Sequence, residues 1–199
     1  MSTVIISLHG FNSGPGQKAQ YITQQFPDCQ VIAPQLPYDP LQAVEVIRDI
    51  IDQHDRDDIH IVGTSLGAFY AMYISRLYVL RDNIIYYLIN PSFEPHTTLR
   101  RYDGKVINNY KTQQQFETTH EFFEGLRILY YYTSKMYNAR CIHSSNYFIG
   151  TEDEVVDFTN FTNFIKSFEV PYRMYHSKQD HRYSDLSDVV EKIRQNMFP

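Results

Sequence analysis

The sequence predicts an α/β architecture, a mostly parallel six-stranded sheet with helices on both faces. Two observations carry this. Short apolar runs alternate with segments of helical periodicity along the 199 residues. Several of the strand-like runs are continuously apolar, as expected of strands covered on both faces. Strands separated by helices imply right-handed βαβ crossovers and therefore parallel pairing.

The elements follow in order. Thr3 to Leu8 is the first strand, and Gln30 to Ala33 a short second one. Asp39-Pro40 opens a helix: Asp39 can cap it, Pro40 suits its first turn and Gln42 can complete the cap. Val44, Ile47, Ile50 and Ile51 then line one face of that helix. Ile59 to Val62 is the third strand. Ile84 to Ile89 is the fourth, stopped by Asn90-Pro91. Tyr147 to Gly150 is the fifth strand, and Phe158, Phe161, Ile165 and Phe168 mark a helix by their spacing. Val170 to Tyr175 reads as the sixth strand, with Pro171 suiting an edge position. Leu186, Val189, Val190, Ile193 and Met197 form the apolar stripe of a last helix.

One stretch breaks the rhythm. Residues 91–141 carry no clear strand signal and are rich in Tyr, Thr and Gln. Their aromatics favour a packed, largely helical insertion, a cap or lid over the sheet, within one domain spanning 1–199. A partly disordered surface loop is the alternative reading.

Composition narrows the function classes. Hydrophobic residues make up 43% of the chain and charged ones 21%, enough for a packed core. A net charge of −5 argues against non-specific nucleic-acid binding. No apolar run approaches the ~20 residues that span a bilayer, so no membrane partner is expected. The N-terminus has no basic leader, and the two cysteines, Cys29 and Cys141, lack metal-ligand spacing. A cytoplasmic setting with two free thiols is the expectation. There is no HExxH or comparable pair, so neither a metal nor another cofactor is expected.

Residues Gly63-Thr64-Ser65-Leu66-Gly67 follow a strand-like run and precede a small-residue helix start. This layout sets a serine on a sharp turn with its hydroxyl clear of the backbone. Ser65 is the candidate nucleophile, and it needs a base and an orienting acid. Asp153, on the loop after the fifth strand, is the candidate acid, with Glu152 and Glu154 as rivals. His181, on the loop before the last helix, is the candidate base, with His176 as its rival. An oxyanion needs two backbone donors. Leu66 N–H at a helix start can supply one, and Phe11 N–H in His9-Gly10-Phe11-Asn12-Ser13-Gly14 the other. A G-x-G-x-x-G nucleotide fingerprint is absent from that loop.

These residues resemble the α/β-hydrolase superfamily, and more narrowly the small bacterial esterases of the YqiA type. The resemblance rests on His9-Gly10-Phe11-Asn12-Ser13, Pro34-Gln35-Leu36-Pro37, Gly63-Thr64-Ser65-Leu66-Gly67 with Phe69-Tyr70-Ala71, Asn90-Pro91, Asn109-Tyr110 and Asp153-Glu154-Val155-Val156-Asp157. It implies a three-layer α/β-hydrolase fold with a short cap, acting on acyl esters or acyl-CoA thioesters. It also implies Ser65, Asp153 and His181 as a triad. The Tyr-rich segment after Asn90-Pro91, and Gln179-Asp180 before His181, depart from the pattern.

The expected partner is a small-molecule acyl ester or acyl-CoA. Residues 91–141 carry a balance of +2 and the remainder −7. Arg100 and Arg101 are the first candidates to hold an anionic substrate, alongside Asn12 in the loop after the first strand. Solvated surface charge is the plainer reading of that balance. Two rivals to a serine carboxylesterase follow: a thioesterase using the same residues, and a non-catalytic binding module on the same scaffold.

Overall fold

The computed structural model describes residues 2–197. Six strands form one parallel sheet in the order β2-β1-β3-β4-β7-β8. They are β1 (Thr3–Leu8), β2 (Gln30–Ile32), β3 (Asp58–Thr64), β4 (Ile84–Ile89), β7 (Ser145–Gly150) and β8 (Arg173–Ser177). A separate antiparallel hairpin pairs β5 (Val106–Asn108) with β6 (Gln115–Glu117).

Side chains of successive strand residues point to opposite faces, so one sheet serves two cores. Val4, Ile6, Leu8, Ile59, Ile61, Tyr86 and Leu88 pack on one side with α2 (Pro40–Gln53), α3 (Leu66–Leu77), α5 (His120–Met136) and α7 (Thr159–Lys166). Ile5, Val62, Tyr87, Ile89 and Phe148 pack on the other with α1 (Gln17–Gln25) and α8 (Ser187–Met197). This is a three-layer fold. Asp39 caps α2, its Oδ1 accepting from Leu41 N–H at 2.8 Å and Gln42 N–H at 3.0 Å.

The register brings the ends of the strands to one edge. Leu8 pairs with Gly63, Thr64 with Ile89, Ile89 with Phe148, and Gly150 with Ser177. The loops after β1, β3, β4, β7 and β8 therefore leave side by side, the usual place for a ligand in a parallel sheet.

Three segments differ from the sequence expectation by more than a residue or two at an end. The last strand is Arg173–Ser177 rather than 170–175. Pro171 has no N–H for a ladder, and pairing with β7 begins at Arg173. Helix α1 carries a weak sequence signal, because in QKAQYITQQ only Ala19 and Ile22 are buried. The segment between β4 and β7 is not wholly helical. It holds α4 (Pro95–Thr98), a 3₁₀ turn (Arg100–Tyr102), the hairpin, α5 and α6 (Ala139–His143). Strands of three residues whose inward pair is only Ile107 and Phe116 give no periodicity to detect. Helix α5 buries Phe122, Leu126, Leu129 and Thr133 along one stripe. It packs beside α2 and α3, and Gly125 lets Pro40 approach. It belongs to a helical layer, while the hairpin reaches the edge where the loops emerge.

Candidate active site

Ser65 sits between β3 and α3 with φ 54° and ψ −115°. Its N–H donates to Ile89 O at 2.9 Å, and its carbonyl accepts from Ser92 N–H at 3.2 Å, so β4 and the loop beyond it grip the turn. Glycine is required on both sides. A Cβ on Gly63 would lie 2.6 Å from Gly67 O, and one on Gly67 would lie 2.6 Å from His9 O. The second approach brings the loop after β1 against the start of α3.

His181 reaches Ser65 from the loop after β8. Its Nε2 lies 3.1 Å from Ser65 Oγ, and its Nδ1 lies 2.7 Å from Asp153 Oδ2. The Asp153 side chain is 1% exposed and that of His181 20%. The other carboxylate oxygen, Asp153 Oδ1, accepts from Val155 N–H at 2.8 Å and Val156 N–H at 2.9 Å. With both oxygens occupied, the carboxylate has a single orientation. The rivals stand elsewhere. Glu152 faces Lys178 at 3.6 Å, Glu154 is exposed, and His176 is exposed on β8. Asp157 accepts from Thr159 N–H at 2.9 Å at the start of α7.

Leu66 and the loop after β1 border the serine. Leu66 opens α3, so its N–H has no intrahelical acceptor. The loop after β1 lies close, a Cβ placed on Gly10 falling 3.2 Å from Ser65 Cβ. Phe11 and Leu66 line one small cavity with Asn12, Leu36, Tyr38, Tyr70 and Phe122. Asn12 Oδ1 and Tyr38 Oη, both from residues lining it, are buried without a partner.

His9 holds this loop as a neutral ring. Leu36 N–H donates to Nε2 at 3.1 Å, so Nε2 carries no proton and Nδ1–H donates to Gly10 O at 2.9 Å. Burial accordingly pushes its pKa below the usual histidine value, against the opposing effect of the Gly10 carbonyl.

Several positioning residues went unread in the sequence. Asn90 is buried, with φ 44°. Its Nδ2 donates to Asp180 O at 3.0 Å and His181 O at 3.3 Å, and its Oδ1 accepts from Gly150 N–H at 2.7 Å. Tyr183 Oη accepts from Ser177 Oγ at 2.7 Å and donates to Asp188 Oδ2 at 2.6 Å, anchoring the His181 loop to β8 and α8. Asn12, Ser65, Asn90 and Tyr183 all have positive φ, which concentrates backbone strain in the loops around the serine.

Arg100 and Arg101 do not join this group. Neither lines the cleft at Ser65. Arg100 pairs with Asp103 at 3.1 Å and lies over the Phe123 ring, and Arg101 lies over Tyr102. A cleft of about 790 Å³ opens from Ser65 and His181 along the loop after β1 and the start of α1. Its cationic residues are Lys18, Lys111 and Arg182. No sequence pattern marks these three, since they approach from helix α1, the hairpin turn and the loop after β8. Among the described residues no group of three His, Cys, Asp or Glu could hold a metal ion, and no helix is long and apolar enough to cross a membrane.

Comparison with solved structures supports the fold. A lipolytic enzyme from the metagenome-derived pair LipS and LipT superposes with a TM-score of 0.74 at 14% identity, covering 98% of this chain and 93% of that one. Est1E from Butyrivibrio proteoclasticus gives 0.67 at 14% identity, covering 98% and 87%. A monoacylglycerol lipase from Paleococcus ferrophilus gives 0.67 at 12%, covering 98% and 93%. At these identities the likeness establishes the α/β-hydrolase fold and leaves chemistry to the site. The profile described as Uncharacterised protein family (UPF0227) matches residues 4–197, nearly the whole chain, and the chain belongs to that family.

Proposed function

We propose that this protein is a serine hydrolase of carboxylic esters. The observation that carries the reading is the hydrogen-bonded row from Ser65 Oγ through His181 to Asp153, at 3.1 and 2.7 Å. His181 Nε2 takes the hydroxyl proton as Ser65 Oγ attacks the carbonyl carbon. The carbonyl π electrons move to oxygen, which the N–H groups of Phe11 and Leu66 receive. Collapse of that intermediate breaks the bond to the alcohol oxygen, and His181 returns its proton to the departing alcohol. The acyl group is then an ester of Ser65. Water, deprotonated by the same imidazole, attacks the acyl carbon; the bond to Ser65 Oγ breaks, His181 returns the proton to Oγ, and the carboxylic acid leaves. Asp153 keeps Nδ1 protonated and stabilises the imidazolium.

The larger cleft beside His181 is assigned to the alcohol, and the cavity of about 20 Å³ beside Phe11 and Leu66 to a methyl-sized acyl end. The β5–β6 hairpin acts as the covering part of the 91–141 cap. A thioester would use the same residues with sulfur as the leaving atom.

A fluorophosphonate probe tests the nucleophile. Labelling at Ser65, lost in Ser65→Ala, is the expected result, together with hydrolysis in a panel of aryl esters and acyl-CoAs of graded length. Absence of labelling and of all hydrolysis overturns the reading and leaves a binding module.

A further inference from the structure

The larger cleft has a one-sided charge. Its lining residues include Lys18, Lys111 and Arg182 and no Asp or Glu, in a chain whose net charge is −5. Among the described residues none of the three forms an ion pair, whereas Arg100, Arg127 and Lys178 each do. Asp180, outside the lining, is the carboxylate that acts on Lys18.

The segments that carry the three cations are tied together, while Lys111 and Arg182 are themselves exposed. Lys18 Nζ donates to the Arg182 carbonyl, tying α1 to the loop that carries His181. Lys18 is partly buried, and burial pushes its ammonium down to about 8. Lys111 lies at the turn of the hairpin, which Asn109 fixes. Asn109 is fully buried; its Nδ2 donates to Ser13 O at 2.8 Å and its Oδ1 accepts from Lys111 N–H at 2.8 Å and Thr112 N–H at 2.9 Å. Tyr110 Oη donates to Ser13 Oγ at 2.8 Å. The Lys111 ammonium passes over Gly16, where a Cβ would lie 3.6 Å from Nζ. Arg182 follows His181 directly and lines the same cleft as Ser65 and His181.

We propose that Lys18, Lys111 and Arg182 receive an anionic group carried by the alcohol half of the substrate, a carboxylate or a phosphate. This deepens the esterase reading and rests on it. The anion is not a reacting group. Its attraction to three cations in a partly enclosed cleft holds the ester where Ser65 can attack.

The test uses three acetate esters whose phenols have matched acidity: those of para-hydroxyphenylacetate, para-hydroxybenzylphosphonate and the neutral para-hydroxyphenylacetamide. Wild-type enzyme should favour the anionic esters over the amide by about tenfold in kcat/KM, mostly through KM. The two anionic arms distinguish a site for a single carboxylate from one for a dianion. Lys111→Gln and Arg182→Gln should each lower the anionic-to-neutral ratio by about threefold, and raised salt should lower it further. Arg101→Gln, outside the cleft, should keep the wild-type ratio.

Equal kcat/KM values for all three esters, or a ratio untouched in the Lys111→Gln/Arg182→Gln double variant, would overturn the proposal while Ser65-dependent hydrolysis still stood. If no ester is hydrolysed and Ser65 is not labelled, the esterase reading fails and this proposal with it.

Discussion

Asn90 grips His181 by the backbone rather than by the ring. Its Nδ2 donates to the carbonyls of Asp180 and His181, at 3.0 and 3.3 Å, while its Oδ1 accepts from Gly150 N–H at 2.7 Å. One buried amide thus joins the loop carrying the imidazole to the strand that leads to Asp153. Asn90→Ala should lower kcat about tenfold or more and cost roughly 1–3 kcal/mol, because the Gly150 N–H is left buried and unpaired. Burst kinetics and thermal denaturation would check it. An unchanged kcat would mean that the loop holds its place without this residue.

Ser65→Ala should abolish ester hydrolysis and leave thermal stability close to wild type. Ser65→Gly should also be inactive but gain up to ~1 kcal/mol, since glycine relieves the strain at φ 54°. Denaturant titration of the two variants compares them directly; equal stability would argue that the turn is not strained.

His181→Ala should lower kcat by several orders of magnitude, and His176→Ala by far less, because only His181 touches Ser65 and Asp153. The opposite ranking would move the base to β8.

Tyr183→Phe removes the hydroxyl that joins Ser177 to Asp188. A loss of about 1–2 kcal/mol is expected, from leaving Asp188 short of a donor. Turnover should fall several-fold as the His181 loop loosens. Steady-state kinetics beside a melting curve would separate the two effects.

Stability should fall in acid through His60. This ring lies buried in β3, its Nδ1 2.9 Å from Tyr87 Oη, and burial lowers its pKa from 6.5 to about 4. The unfolded chain takes up a proton near pH 6.5, and the folded chain does so only near 4. The stability is therefore fully present above about 6.5 and is lost as pH falls through that window, by roughly 3 kcal/mol. His9, also lowered by burial, adds to the loss in the same direction. Urea unfolding between pH 7 and 4 should show a shallower decline in His60→Gln.

Much of the fold is legible because the sheet is buried on both faces. Its strands read as apolar runs such as Ile84 to Ile89, and its amphipathic helices as stripes such as Leu186 to Met197. The serine, carboxylate and imidazole that meet are legible too, since each follows a strand end and parallel strands share an edge. What escaped is nonlocal or short. The hairpin pairs three residues with three, α1 buries only two side chains, and Lys18, Lys111 and Arg182 converge from α1, the hairpin turn and the loop after β8. Arg100 and Arg101 were conspicuous in the sequence but are engaged with Asp103 and neighbouring rings.

The Asn109–Ser13 bond fastens the hairpin turn to the segment bearing the Phe11 amide. If Lys111 receives the substrate's anion and the Phe11 amide its oxyanion, as proposed, the two roles share one mechanical joint. On that reading, exchanging the hairpin to change selectivity would alter turnover at the same stroke.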